Sequence, residues 1–556
     1  MSSKTLSASV GIVGGGPAGL MLAIELGRFD VSCIVFEEDA TPPWFPKANS
    51  STARTMEHYR RLGFADQIRA VGLPADHPQD VAYFTRYTDG WELARLVGAS
   101  RNNAMDMNKR DENLWPTPEP LHRSNQIFIE PVLKDQAERY RSVQLKFGWR
   151  VLSMHRGDDR VMIEAESAST GERQHFEFSF LAGCDGPRSL VRKSLEIRHE
   201  GVSHEERFFM GGQMLATRLN APDFYNVVDG ERAWQYWAMN SERRSIMVAL
   251  DGKGAFTLHT QLPRGGMASA DWVDESLRFN INKPFSYEVV SMVEWTAGLT
   301  LVAERFQCGR VFLLGDAAHL FTPTGGLGYN TSIEDAANLG WKLAATVQGW
   351  GGPLLLESYH AERHPAAKRN TAFAKTMADS LGLIEISSAH EERSEKGGTL
   401  RAQLGERLLK HAVDEFNTPG IQFGTWYADS PIILDESPGE PPVQDPHVYV
   451  PNGTPGARAP HFWLDVGRCV FDDFGLGFAV LDFGENAGAE DLVAAAIDLG
   501  VPVKLLRISN AEAQKLYEAD IVLVRPDQHI AWRGKSETFD AGRVIRRALG
   551  WTDDSA

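Results

Sequence analysis

The chain has 556 residues, too many for one simple core, and at 43% hydrophobic and 24% charged it has an ordinary globular composition. A formal net charge of −17 repels a phosphate backbone, which argues against nucleic acid as a partner. Cys33, Cys184, Cys308 and Cys469 are far apart and form no C-x-x-C pair, so a disulfide scaffold, a zinc ribbon and a dithiol redox centre all lose support; reduced thiols in a cytoplasmic protein fit best.

In chain order, Ser9–Val13 reads as a buried strand, Pro17–Arg28 as a helix and Val31–Glu37 as a second strand, the opening βαβ of a dinucleotide fold. The apolar stretch Val10–Leu26 imitates a membrane span but is short and contains five glycines and a proline, so no membrane segment is expected. Thr52–Leu62 and Ile127–Tyr140 read as helices, whereas residues 70–120 lack periodicity and predict loops and strand fragments. From Val143 to Leu181, and again over about 205–300, short alternating segments predict strands, among them Trp234–Trp237 and Phe256–Leu262. Val311–Leu314 predicts a strand and Ser332–Gln348 a long helix. The region 391–407 is charged and carries three glycines, and 435–455 reads as a linker. After about residue 458 a strand–helix–strand–strand–helix pattern closes the chain.

Three signatures carry chemistry. Gly14-Gly15-Gly16-Pro17-Ala18-Gly19 follows a strand and opens a helix, and Glu37 stands eighteen residues beyond Gly19. The glycines allow backbone N–H groups to approach a pyrophosphate at the helix N-terminus, and the acid can accept hydrogen bonds from a ribose, which favours FAD or NAD over NADP at this site. Gly315-Asp316-Ala317-Ala318-His319 ends a strand, and the glycine-rich run Pro323–Asn330 leads into the next helix. One ligand with two phosphate- or sugar-bearing ends explains both loops; the alternative is a surface loop with helix-capping Ser332 and Asp335. Cys184-Asp185-Gly186-Pro187 taken alone is a plain turn.

In this order and spacing the three signatures resemble the FAD-dependent aromatic hydroxylases related to para-hydroxybenzoate hydroxylase and phenol hydroxylase. The run Gly309–Ala344 is similar to the phenol and chlorophenol branch, as is Pro46–Glu57. The resemblance implies an α/β fold: a discontinuous FAD-binding domain (1–75, 101–204 and 296–385), an interleaved β-sheet substrate domain (76–100 and 205–295), a helical and linker segment (386–455) and a thioredoxin-like C-terminal domain (456–556). Without a C-x-x-C that last domain is expected to serve packing or dimerisation, and the resemblance implies a homodimer.

In such enzymes NADPH or NADH reduces FAD, O2 forms a flavin C4a-hydroperoxide, and one oxygen atom passes to a phenolic ring. Carried over by position, Gly14, Gly15, Gly16, Gly19 and Glu37 hold the ADP half; Lys47, where many relatives have arginine, Arg123 and Gln126 lie near the phosphates; Asp185 and Asp316 contribute to the cofactor site. The backbone of Gly328, Tyr329 and Asn330 faces the flavin pyrimidine edge, where helix N-terminal N–H groups stabilise the reduced anion. The carbonyl of Pro323 can meet the substrate hydroxyl. A base is expected, with His259, Tyr236, Asn49 and His319 as candidates; His319 reads better as a packed residue. Trp234, Tyr236 and Trp237 can wall the substrate or form sheet core. No metal is expected, because the histidines are scattered. An FAD-dependent oxidase or dehydrogenase and a flavin-binding regulatory protein stay open as alternatives.

Overall fold

The computed structural model describes residues 6–42, 45–110, 115–203, 205, 207–436, 439–535 and 539–552. At its centre Leu6–Val13 pairs in parallel with Cys33–Glu37 on one side and Arg173–Gly183 on the other, and Val143–Phe147 and Val311–Leu313 extend the parallel order outwards. Parallel strands covered on both faces must be apolar throughout, and Val10, Ile12, Val35, Leu181 and Phe312 are fully buried. Pro17–Arg28, with proline preset for the first helical position, packs against Leu327–Gln348 and against Gln126–Glu138. The hairpin Trp149–Arg156 and Val161–Ser167 hangs antiparallel from Arg173–Gly183.

A second sheet runs in the order Glu288–Ala297, Gly212–Asn220, Ala255–Gln261, Ser245–Ala249, Gln235–Ala238, Val81–Phe84, Glu92–Leu96. Its register aligns Tyr83, Trp237, Ile246, His259 and Ala216 in one row, and Ala82, Tyr236, Met247 and Leu258 in the next. Strand side chains alternate, so these two rows face opposite sides. The Tyr236 face is covered by Phe224 and the helix Ala270–Asn280, whose Trp272 Nε1 donates to Thr260 Oγ1 at 3.1 Å.

One segment differs from the sequence expectation, and a second takes a form that the expectation left open. Arg101–Lys109 is a helix, capped by Ser100 accepting from Asn103 N, where only loops and strand fragments were expected. The charged, glycine-containing region forms the long helix Glu395–Phe416. Gly405 there is a packing glycine: a Cβ would collide with the carbonyl of Leu93, so its absence lets the helix lie on the strand Glu92–Leu96.

The C-terminal strands run in the order Val503–Arg507, Phe478–Asp482, Ile521–Val524, Ile530–Gly534, with the first pair parallel and the rest antiparallel. With Ala487–Asp498 and Ala541–Ala548 they make the βαβ–ββα order of a thioredoxin-like unit. All four cysteines are free thiols.

Candidate active site

The first glycine loop is shaped by close backbone approaches. Gly14 adopts φ +106°, and a Cβ on it would strike the carbonyl of Cys184; one on Gly19 would strike the carbonyl of Gly14. Gly16 differs, since a Cβ there meets nothing within 4 Å. Open space therefore lies directly in front of the N-terminus of Pro17–Arg28, whose first-turn N–H groups have no intrahelical acceptors. Glu37 braces the loop by accepting from Gly15 N at 2.7 Å and Asp39 N at 3.1 Å. Gln126 is tied to the neighbouring segment, its N donating to Ala48 O at 2.8 Å, and its side-chain amide bonds Glu130. Burial pushes the Glu130 carboxyl up to about 7, opposed by the Gln126 bond and the nearby Lys47 ammonium.

The second loop follows Val311–Leu313. Asp316 is open to solvent and accepts no hydrogen bond among the described residues, yet it is recessed enough that lost hydration raises its pKa against the pull of His319 and Lys47. His319 is fully buried behind it, Nε2 standing 2.7 Å from Asp335 Oδ2, while Arg363 Nε donates to Asp335 Oδ1 at 2.8 Å. Its packed reading is the one the geometry shows. Gly325 and Gly326 both take positive φ, +74° and +63°, a turn that side chains resist, and this turn delivers the chain into Leu327–Gln348.

Gly326 N is used by Pro323 O at 3.1 Å, leaving the N–H groups of Leu327, Gly328 and Tyr329 as the open end of the helix. The Asn330 side chain is fully committed: it donates to Ser50 O and Gly326 O and accepts from Thr52 N and Thr55 Oγ1. Tyr329 is bonded through its hydroxyl to Tyr59. The side chains of Tyr329 and Asn330 thus fasten the loop, and only main-chain donors face outward. The carbonyl of Pro323, already accepting from Gly326, keeps one lone pair.

Several expected site residues lie elsewhere. Asp185 is turned into its own loop, accepting from Ser189 Oγ at 2.5 Å and Val191 N at 3.1 Å, so it supports the first turn of the helix Leu190–Ser194, which Ser189 caps. What its turn gives the cofactor loop is the Cys184 carbonyl against Gly14. Tyr236 is fully buried on the far face of the second sheet, stacked on Phe84, with its hydroxyl accepting from Ala233 N at 2.7 Å. Strand alternation separates it from Trp237, which stacks on Tyr83 and meets Phe209 edge-on. His259 shares the Trp237 face but makes no hydrogen bond, and burial pushes its imidazole down to about 4. Asn49 accepts from Asn125 Nδ2 at 2.5 Å. Arg123 is not gathered with the phosphate-facing residues: its guanidinium lies over the rings of Trp234, at 4.0 Å, and Phe416, at 5.0 Å.

Residues the sequence reading missed brace the second glycine loop. Glu415 accepts from Gly325 N at 2.7 Å and stands 2.9 Å from His411 Nε2, while His411 Nδ1 lies 2.6 Å from Ser380 Oγ. Burial raises the Glu415 carboxyl, but the adjacent His411 imidazole and the Gly325 amide outweigh it and hold it below its ordinary value. The signal was the i,i+4 spacing of His411 and Glu415 on the helix Glu395–Phe416.

These features fit FAD: open space before Gly16, a recessed carboxylate without a partner at Asp316, and two helix N-termini with free donors. Residues 7–374 match the FAD binding domain family model and 452–552 match the aromatic-ring hydroxylase C-terminal model. An FAD-dependent monooxygenase of Emericella nidulans, apdD, is 31% identical over 98% of this chain and 90% of its own length. A phenol 2-monooxygenase of a Pseudomonas species is 27% identical over 97% of this chain and 91% of its own. Among solved structures, the rebeccamycin biosynthetic enzyme RebC with reduced flavin superposes with a TM-score of 0.87 at 33% identity, covering 99% of this chain and 100% of that one. With the cofactor cradle and both family matches in place, the chain belongs to the FAD-dependent aromatic-ring hydroxylases, a family of flavoprotein monooxygenases.

Proposed function

We propose that the protein uses NADPH or NADH and O2 to hydroxylate a phenolic or similarly activated aromatic ring held between the second glycine loop and the Trp237 face of the second sheet. The observation that carries this reading is the open N-terminus of Leu327–Gln348, which follows the tight glycine turn that Glu415 braces through Gly325 N. The similarity to a phenol 2-monooxygenase supports the substrate class.

FAD, when bound, supplies two-electron redox chemistry and the activation of O2. The chain's own residues do the rest. Gly14, Gly16 and Gly19 admit the pyrophosphate, with Glu37 and Asp316 as acceptors for sugar hydroxyls. The N–H groups of Leu327, Gly328 and Tyr329 stabilise negative charge on the bound ring system without reorganising. Tyr83 and Trp237 provide apolar, stacking walls, and the Pro323 carbonyl orients a substrate hydroxyl. In this division of labour the second sheet is the substrate-binding unit and the first the cofactor-binding unit.

The test is NAD(P)H consumption by the purified flavoprotein across a phenol panel, with isotope-labelled O2 and product analysis. Substrate-stimulated oxidation with one oxygen atom gained by the ring is the expected result. Flavin that neither nicotinamide reduces would overturn the reading. Peroxide as the sole oxygen product with every ring that accelerates reduction would identify an oxidase instead.

A further inference from the structure

Arg123 is the cleft's unexplained charge. Among the described residues it forms no hydrogen bond and no ion pair, although arginine carries five donors. Its Nε is sealed from solvent without a partner, whereas the terminal nitrogens are not sealed off. The guanidinium rests on Trp234 and Phe416, a floor that fixes its plane. Lost hydration lowers its pKa to about 10, so it stays charged at neutral pH.

The nearest acid does not neutralise it by contact. Glu415 has one oxygen bonded to Gly325 N and the other beside His411 Nε2, and it acts on Arg123 only through space. Arg123 is also tied to the second glycine loop. The preceding residue, His122, pairs with Ser51 through both backbone bonds, at 2.8 and 2.9 Å, and Ser50 O is held by Asn330 in the first turn of the flavin-facing helix. Phe416, beneath the guanidinium, directly follows the residue that braces Gly325. A half-buried guanidinium whose Nε has no partner and whose terminal nitrogens stay open is a fork that an anion can complete.

We propose that Arg123 is the specificity-determining residue of the substrate pocket, receiving the anionic oxygen of an aromatic substrate, a carboxylate or an ionised phenol, in its planar fork. This rests on the hydroxylase reading for the location of the substrate. It assigns Arg123 to the substrate rather than to the cofactor phosphates. A fork over an aromatic floor suits a planar ligand whose acidic group lies in the ring plane.

The experiment uses FAD-loaded protein and two probes read through the flavin spectrum and their own. The first is 2-naphthoate against its uncharged amide, 2-naphthamide. The second is 4-nitrophenol, whose colour reports ionisation. The wild type is expected to prefer naphthoate roughly ten- to hundredfold, or to bind nitrophenol with its pKa lowered by about one to three units; the first result identifies a carboxylate subsite and the second a phenolate subsite.

Arg123→Met should erase whichever effect is seen while leaving flavin content and melting temperature unchanged, and Arg123→Lys should retain part of it. An unchanged preference and an unchanged ionisation in Arg123→Met would overturn the proposal, as would a wild type that responds to neither probe. Loss of flavin from both variants would return Arg123 to the phosphates and equally overturn it. Anion binding that depends on Arg123 in a protein that never oxidises NAD(P)H would sink the hydroxylase reading alone. Hydroxylation indifferent to Arg123 substitution would sink this one alone.

Discussion

Arg458 grips the carboxylate of Glu57 across 401 residues of chain, Nε to Oε2 at 2.9 Å and Nη2 to Oε1 at 2.5 Å, joining the C-terminal unit to the helix Ala53–Arg61. Both side chains are buried, and Glu57 also accepts from Arg54 at 2.8 Å and Thr117 Oγ1 at 2.6 Å. With four donors the carboxylate is satisfied, which is the condition under which a buried ion pair is tolerated.

Removing one partner leaves the other charged and buried. Arg458→Met should therefore destabilise the protein by about 3–5 kcal/mol, read from denaturant titration. Burial raises the Glu57 carboxyl, but Arg458 and Arg54 outweigh it and hold it below 4.5. A depressed carboxyl contributes stability that is present above its unfolded value and lost as pH falls through its folded one. The wild-type advantage over the variant should thus be full above about pH 4.5 and shrink below it.

Asp316 makes no internal hydrogen bond, so Asp316→Ala should fold normally and lose cofactor. With a sugar hydroxyl left unpaired, FAD affinity should fall roughly ten- to hundredfold. Equilibrium dialysis checks this beside circular dichroism; full flavin occupancy at unchanged affinity would remove Asp316 from the site.

The glycines of the first loop should separate into two kinds. Gly16→Val places its side chain in empty protein space, so the apoprotein should keep its melting temperature while flavin content collapses. Gly19→Ala forces a Cβ against the Gly14 carbonyl and should lower the melting temperature of the apoprotein itself. Equal effects of the two on apoprotein stability would contradict the cradle geometry.

Tyr236→Phe should leave turnover within about twofold and cost about 1 kcal/mol of stability, because the hydroxyl it removes only accepts from Ala233 N. His259 stays neutral in the fold down to about pH 4, against 6.5 when unfolded. Between those values the unfolded chain binds more protons, so this residue makes stability fall as pH drops from about 6.5 towards 4. His259→Gln should flatten that part of the wild-type stability profile. A turnover limb near pH 6.5 that vanishes in His259→Gln would instead make it the base.

The cofactor half was legible because its determinants are local. A glycine loop, the strand before it and the helix after it are contiguous, and Pro17–Arg28 falls where the sequence placed it. The helix Leu327–Gln348 begins five residues earlier than Ser332, since the tight turn at Gly325 and Gly326 leads straight into it. The helix Glu395–Phe416 lies inside the segment expected to be helical and linker, but its bounds were not legible, and Gly405 serves a contact with Leu93 that no local pattern announces.

From the sequence alone came the FAD signatures, the family resemblance and the expectation of a separate middle sheet, all written in residues near one another in the chain. Tertiary structure decided which side chains meet. Alternation along Gln235–Ala238 was readable, yet only the packing of Ala270–Asn280 and Phe224 told which face was core, removing Tyr236 from the cleft. Arg123, Trp234, Glu415 and Phe416 come from three distant segments, and their juxtaposition depends on long-range packing that residue type and spacing do not encode.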